Sequence, residues 1–235
     1  MSATYIEDFN DGPGGWFGWT NNLQGPKPLT IRDGAAVTSS PWWIDYNHAP
    51  PGAGYLHLPY ILLTAGGAAY NEVHTETAGV NRFLEQRFPT DFTDAKITLR
   101  LRGELLTRGA QLVLLIQGNI RGLTSGWLLT GQPISVSEDW TEPTITAVAD
   151  PAQWTCLGAR HDRSKTYGVL PLSDVLRDVN IDIMLVLFPL DVRPMGRITD
   201  DQHRLRAGKD YPVWQSRLPE GYIELDRIQI EFPQP

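Results

Sequence analysis

The sequence has one cysteine, Cys156, and no apolar run near the roughly eighteen residues of a membrane span. A lone cysteine excludes an internal disulfide and a cysteine-rich zinc site. Set between Trp154 and Leu157, it reads as a small core residue. Basic residues are also scarce: 20 Lys+Arg stand against 27 Asp+Glu, a net charge of −7, with no basic cluster. That argues against nucleic acid, because neutralising phosphates needs grouped Lys and Arg. The first residues, Met1 to Asp8, lack the basic and apolar regions of a secretion signal, so a cytoplasmic protein without a membrane partner is expected, or a secreted one if a leader is missing. Absent too are a Gly-x-Ser-x-Gly elbow, a phosphate loop, a His-Glu-x-x-His pair and a dinucleotide fingerprint.

What the chain has in quantity is 22 Gly, 18 Pro and eight Trp, within 41% hydrophobic residues over 235 positions. Frequent Gly and Pro break the chain into short strands rather than long helices. In Ala95–Arg102, Ala95, Ile97, Leu99 and Leu101 share one face, the period of a half-buried antiparallel strand. The runs 110–117 and 181–188 are almost continuously apolar and suit central strands covered on both faces. Shorter signals lie at 5–9, 29–31, 35–38, 54–58, 83–88, 126–129 and 141–148. In 222–232 the apolar phase slips from Ile223 and Leu225 to Ile228, Ile230 and Phe232, which predicts a β-bulge near Asp226-Arg227. Leu172, Val175, Leu176 and Val179 predict one short helix with Ser173 as its N-cap.

With no repeat or linker, these elements predict one all-β domain over 1–235, a two-sheet antiparallel β-sandwich of the jelly-roll kind. Two stretches resist a strand reading, 42–52 and 189–221. Loops of such length are often functional.

The opening Glu7-Asp8-Phe9-Asn10-Asp11-Gly12-Pro13-Gly14-Gly15-Trp16 resembles the start of carbohydrate-binding modules and sugar-enzyme accessory domains with the galactose-binding-like jelly roll. Gly52-Ala53-Gly54-Tyr55-Leu56, Trp140-Thr141-Glu142 and Ile223-Glu224-Leu225-Asp226-Arg227-Ile228 are similar to later strands of such modules. The resemblance implies a carbohydrate or glycoside ligand. It also implies a structural calcium ion between the first and last strands, for which the matching positions are Glu7, Asp8 and Asp226. The chain is longer than a typical module, and 189–221 has no counterpart.

The densest polar region surrounds Trp42 and Trp43. Sugar faces stack on indole rings while hydroxyls need donors and acceptors, and Asp45, Asn47, His48 and His57 supply them. If extended, the two Trp side chains point opposite ways, one inward and one exposed. Glu72, His74 and Glu76 would share a face on a strand, which with His48 suits acid–base or metal chemistry. Arg160 and His161, in a mixed-charge turn, are further ligand candidates. Three readings stay open: a carbohydrate-binding β-sandwich, a carbohydrate-active enzyme using His/Glu chemistry, and an assembly protein that acts as a homo-oligomer or with a partner subunit.

Overall fold

Alternation along β8 (Lys96–Leu106) sends Ile97, Leu99 and Leu101 to one side and Thr98, Arg100 and Arg102 to the other, so this strand has one core face and one polar face. The computed structural model describes residues 3–21, 24–45, 55–65, 70–158, 165–193, 195, 212 and 214–233. Around β8 stands a six-stranded sheet in the order β11 (Thr144–Thr146), β8, β14 (Glu220–Glu231), β5 (Ala35–Ser39), β4 (Thr30–Arg32). Its sixth strand, β1 (Thr4–Glu7), lies against the second half of β14.

The other sheet has eight strands. Its order is β12 (Thr155–Cys156), β10 (Leu123–Leu128), β9 (Gln111–Ile120), β13 (Asp182–Leu190), β7 (Tyr55–Leu63), β2 (Trp16–Asn21), β3 (Gly25–Lys27), with β6 (Ile44–Asp45) also beside β7. Every pairing between these strands is antiparallel. The all-β sandwich expected from the sequence is therefore the fold.

The main core lies between the sheets, where Leu99, Leu101, Ile223 and Ile230 meet Leu114, Ile116, Ile183 and Leu185. The opposite faces of β9 and β13 are buried as well. Val113, Leu115, Met184, Val186 and Phe188 join a second cluster with Phe17, Trp43, Leu56 and Leu157. Burial on both faces is why these two strands are apolar at nearly every position.

The bulge in β14 is where the phase slip places it: Leu225 faces Leu101 and Arg227 faces Arg100, leaving Asp226 as the extra residue. The pairing of β7 with β13 is irregular as well, without a trace in the apolar pattern. Two residues, Leu58 and Pro59, stand opposite the single Val186, a place that tolerates the missing N–H of proline.

The helical readings need correction. Residues 83–88 are not a strand: α2 (Arg82–Glu85) begins there, capped by Asn81, whose Oδ1 accepts the Leu84 N–H. The predicted helix exists as α3 (Leu172–Arg177) and buries Leu172, Val175 and Leu176, but Pro171 rather than Ser173 precedes its first turn and no side chain caps it. The remaining helix, α1 (Glu72–Ala78), lies in a segment read for its alternating charges.

Candidate ligand-binding end of the sandwich

One end of the sandwich gathers the described parts of both unusual stretches. There Tyr222 pairs with Ser39, Asp45 with Leu56, Leu190 with Tyr55, and Asp191 forms an isolated bridge to Arg217. Strand register alone thus carries 42–45 and 212–221 to the same place.

Trp42 and Trp43 do point opposite ways, but both are buried. Trp42, 8% exposed, enters the inter-sheet core, and its Nε1 donates to Thr38 Oγ1 at 2.9 Å. Trp43, 9% exposed, joins the outer cluster instead. The expectation that one of them offers an open face to a sugar is corrected. A large ring at the margin of a two-sided core gains more from burial than a loop position suggests.

His57 lies within 5.8 Å of the Trp42 ring, is 1% exposed, and has Nδ1 3.1 Å from the Trp43 carbonyl oxygen. A carbonyl can only accept, so Nδ1 carries the proton. Burial lowers the His57 pKa to about 4, against the smaller opposing effect of that hydrogen bond. It is a neutral core histidine rather than a surface ligand residue. Asp45 is also fully buried, in β6. Asn47, His48, Arg160 and His161 lie outside the described residues.

The carboxylates and histidine of α1 diverge. Asn71 Oδ1 accepts the Val73 N–H at 3.1 Å and starts a helix in place of the strand that the shared face required. Glu72 and Glu76, at i and i+4, occupy one helix face, and His74, about 200° round the axis from each, occupies the other. His74 packs against Phe17 and Tyr70, with ring centroids at 5.3 and 5.4 Å, and its Nδ1 lies 2.9 Å from Asn71 Oδ1. Both glutamates are exposed. Desolvation lowers the His74 pKa, with no carboxylate acting on it. The arrangement does not supply a joint acid–base group.

Glu7, Asp8 and Asp226 do not converge either. Glu7 is fully buried and ion-paired with Arg82 at 2.6 Å. Asp8 is exposed and accepts the Asn10 N–H at 3.2 Å, and Asp226 lies 3.4 Å from Arg100. Among the described residues no group of three His, Cys, Asp or Glu side chains is placed to hold a metal. These three residues do not fit a calcium ion.

Among the described residues at this end, the aromatic side chain left exposed is Trp214, at 81%. It sits on a turn in which the Gln215 and Ser216 N–H groups both donate to the Pro212 carbonyl, at 3.1 and 2.9 Å. The turn is tied to the end of β13 from two sides. Ser216 Oγ accepts the Arg193 N–H at 3.1 Å, and the Arg217 N–H donates to the Asp191 carbonyl at 2.9 Å. Arg193 Nε also lies 3.5 Å from Asp191 Oδ1. An indole held out this way, with charged and amide groups in neighbouring positions, offers a flat apolar face beside hydrogen-bonding groups. The sequence marks the 189–221 stretch by its length, but that length does not single out Trp214 within it. The available signal was a tryptophan inside a long stretch without strand alternation, followed directly by the polar run Gln215-Ser216-Arg217.

Among the described residues no helix is long and apolar enough to cross a membrane. No family model matches the chain, and no curated protein matches it. Among solved structures it is similar to the CBM2 module of the evolved Dit of Lactobacillus casei BL23 phage J-1, at 11% identity over 99% of this chain and 97% of that one. The TM-score of that likeness is 0.30, too low to carry an argument about fold or function.

Proposed function

We propose that the protein is a carbohydrate-binding β-sandwich of the galactose-binding-like kind, with a sugar ring stacking on Trp214. The observation that carries this reading is the exposure of that indole on a turn fixed to β13. Fully burying a large apolar side chain is worth roughly 1.5–3 kcal/mol, and this one is left in water where a ligand can cover it. Asp191, Arg193, Gln215 and Arg217 stand within a few residues of the ring or are bonded to its turn, and together they offer donors and acceptors for hydroxyls.

The test is retention on a panel of immobilised plant, bacterial and animal glycans, comparing the parent protein with Trp214→Ala. Loss of one stacking contact is expected to weaken retention about tenfold, on the order of 1.4 kcal/mol, with circular dichroism unchanged. Equal retention by both proteins, or none by the parent, overturns the proposal. Light scattering on the same pair separates the assembly reading: an oligomer that Trp214→Ala dissolves, with glycan retention unaltered, would make this end a subunit interface. The acid–base reading draws no support from α1, whose glutamates and histidine face apart.

A further inference from the structure

We infer that the guanidinium of Arg82 serves as the built-in cation of the β1–β2 loop, taking Glu7, one of the three positions that the sequence resemblance matches to calcium, as its partner, so that the loop is ordered without a metal.

Glu7 ends β1 with its side chain turned inward and fully buried. A buried carboxylate needs a countercharge and hydrogen bonds. Its Oε1 receives both, from Arg82 Nη1 at 2.6 Å and from the Phe9 N–H at 3.0 Å. The loop then closes around the carboxylate. Gly14 adopts φ +58° and lies so near that a Cβ there would stand 1.7 Å from Glu7 Oε2. Gly15, at φ +96°, leaves the corresponding space for Asn81, the cap of α2. Backbone bonds complete the docking: the Arg82 N–H donates to the Gly14 carbonyl at 3.1 Å, and the Gly15 N–H to the Ala78 carbonyl at 2.9 Å. Arg82 is thus delivered to Glu7 by the same contact that uses the Gly14-Gly15 pair.

A calcium ion takes six to eight oxygen ligands. Here Glu7 Oε1 is engaged by two N–H donors, and Oε2 is shut in against the Gly14 backbone, where even a Cβ would stand 1.7 Å away, so no ligand shell can assemble on this carboxylate. Asp8 and Asp226 are turned to other partners. A guanidinium needs no such shell, since it brings its charge together with fixed donors.

The test is thermal unfolding of the full chain in excess calcium and in excess EDTA. The midpoint is expected to be the same in both, whereas a saturating calcium site would separate them by about 5 °C or more. Such a separation overturns the inference. A double-mutant cycle gives an independent readout: Arg82→Met and Glu7→Gln are each expected to lower the midpoint, and the double variant to lower it by clearly less than their sum. Additive losses would mean that the two side chains act separately and would also overturn it. Should Arg82→Met not fold, Arg82→Lys serves in its place, with partial retention of the midpoint expected and none if the charge is irrelevant.

Discussion

The hydroxyl of Tyr60, on the eight-stranded sheet, lies 2.8 Å from the carbonyl oxygen of Ala36 on the six-stranded sheet, and equally close to that of Ile223. This fully buried phenol spans the core and bonds backbone on the adjacent strands β5 and β14. Burial raises its pKa well above the usual phenol range, so it stays a donor at all ordinary pH values. Tyr60→Phe keeps the ring and removes the bridge. Because both carbonyls lie in strand pairings, the expected cost is modest, about 1–2 kcal/mol, read as a lower midpoint in urea with an unchanged slope.

Gly221 carries a harder constraint. It is the second residue of β14, at φ +132°, and a Cβ there would stand 1.9 Å from the Glu104 carbonyl oxygen on β8. Neither backbone can yield without breaking the longest pairing in the sheet. Gly221→Ala is expected to cost roughly 2 kcal/mol or more, whereas Gly109→Ala, at a turn with nothing within 4 Å, carries only the strain of its φ of +94°. Chemical denaturation of the two variants side by side checks the ordering.

Strand periodicity was legible because burial leaves a direct trace on residue choice. The face of β8, the two-sided apolar runs of β9 and β13, and the extra residue at Asp226 all follow from which side of a strand meets the core. Local hydrogen bonding leaves a weaker trace. The Asn71 and Asn81 caps that turn 72–78 and 82–85 into helices compete with an equally plausible alternation of side chains. The candidate site was harder still. Whether Trp42, Trp43 or Trp214 is the exposed indole depends on what lies opposite each ring, and that is set by pairings between distant parts of the chain.

On the outer face of the eight-stranded sheet, Gln117 and Asp182 are directly paired across β9 and β13, and both are buried. With its Nε2 turned toward β13, Gln117 donates to the Asp182 carboxyl oxygens at 3.3 and 3.1 Å. Desolvation pushes the Asp182 pKa well above the carboxylate range. A native acid that holds its proton while the unfolded chain releases it loses stability as pH rises past the unfolded value of 3.8. Asp182→Asn keeps an amide partner for Gln117 and removes that ionisation. The expected result is a midpoint raised by a few degrees at pH 7 and little changed at pH 3.5. A lower midpoint at pH 7 would show that the charged carboxylate is the stabilising form.

His57 shifts stability in the opposite sense across part of the same range. Its pKa falls from 6.5 in the unfolded chain to about 4 in the native core. Between those values the unfolded state binds the proton and the native state does not, so stability is full above pH 6.5 and is lost as pH drops toward 4. The shift corresponds to roughly 3 kcal/mol at its limit. In the parent protein the Asp182 contribution grows as pH falls and offsets part of this loss. Asp182→Asn therefore exposes it, and its stability is expected to fall more steeply between pH 6.5 and 4 than that of the parent. Adding His57→Gln, whose amide can still donate to the Trp43 carbonyl, is expected to flatten the profile in that window. Urea midpoints measured across this range for the parent, the single variant and the double variant decide it, since a slope unchanged by His57→Gln would mean that another group governs the acid limb.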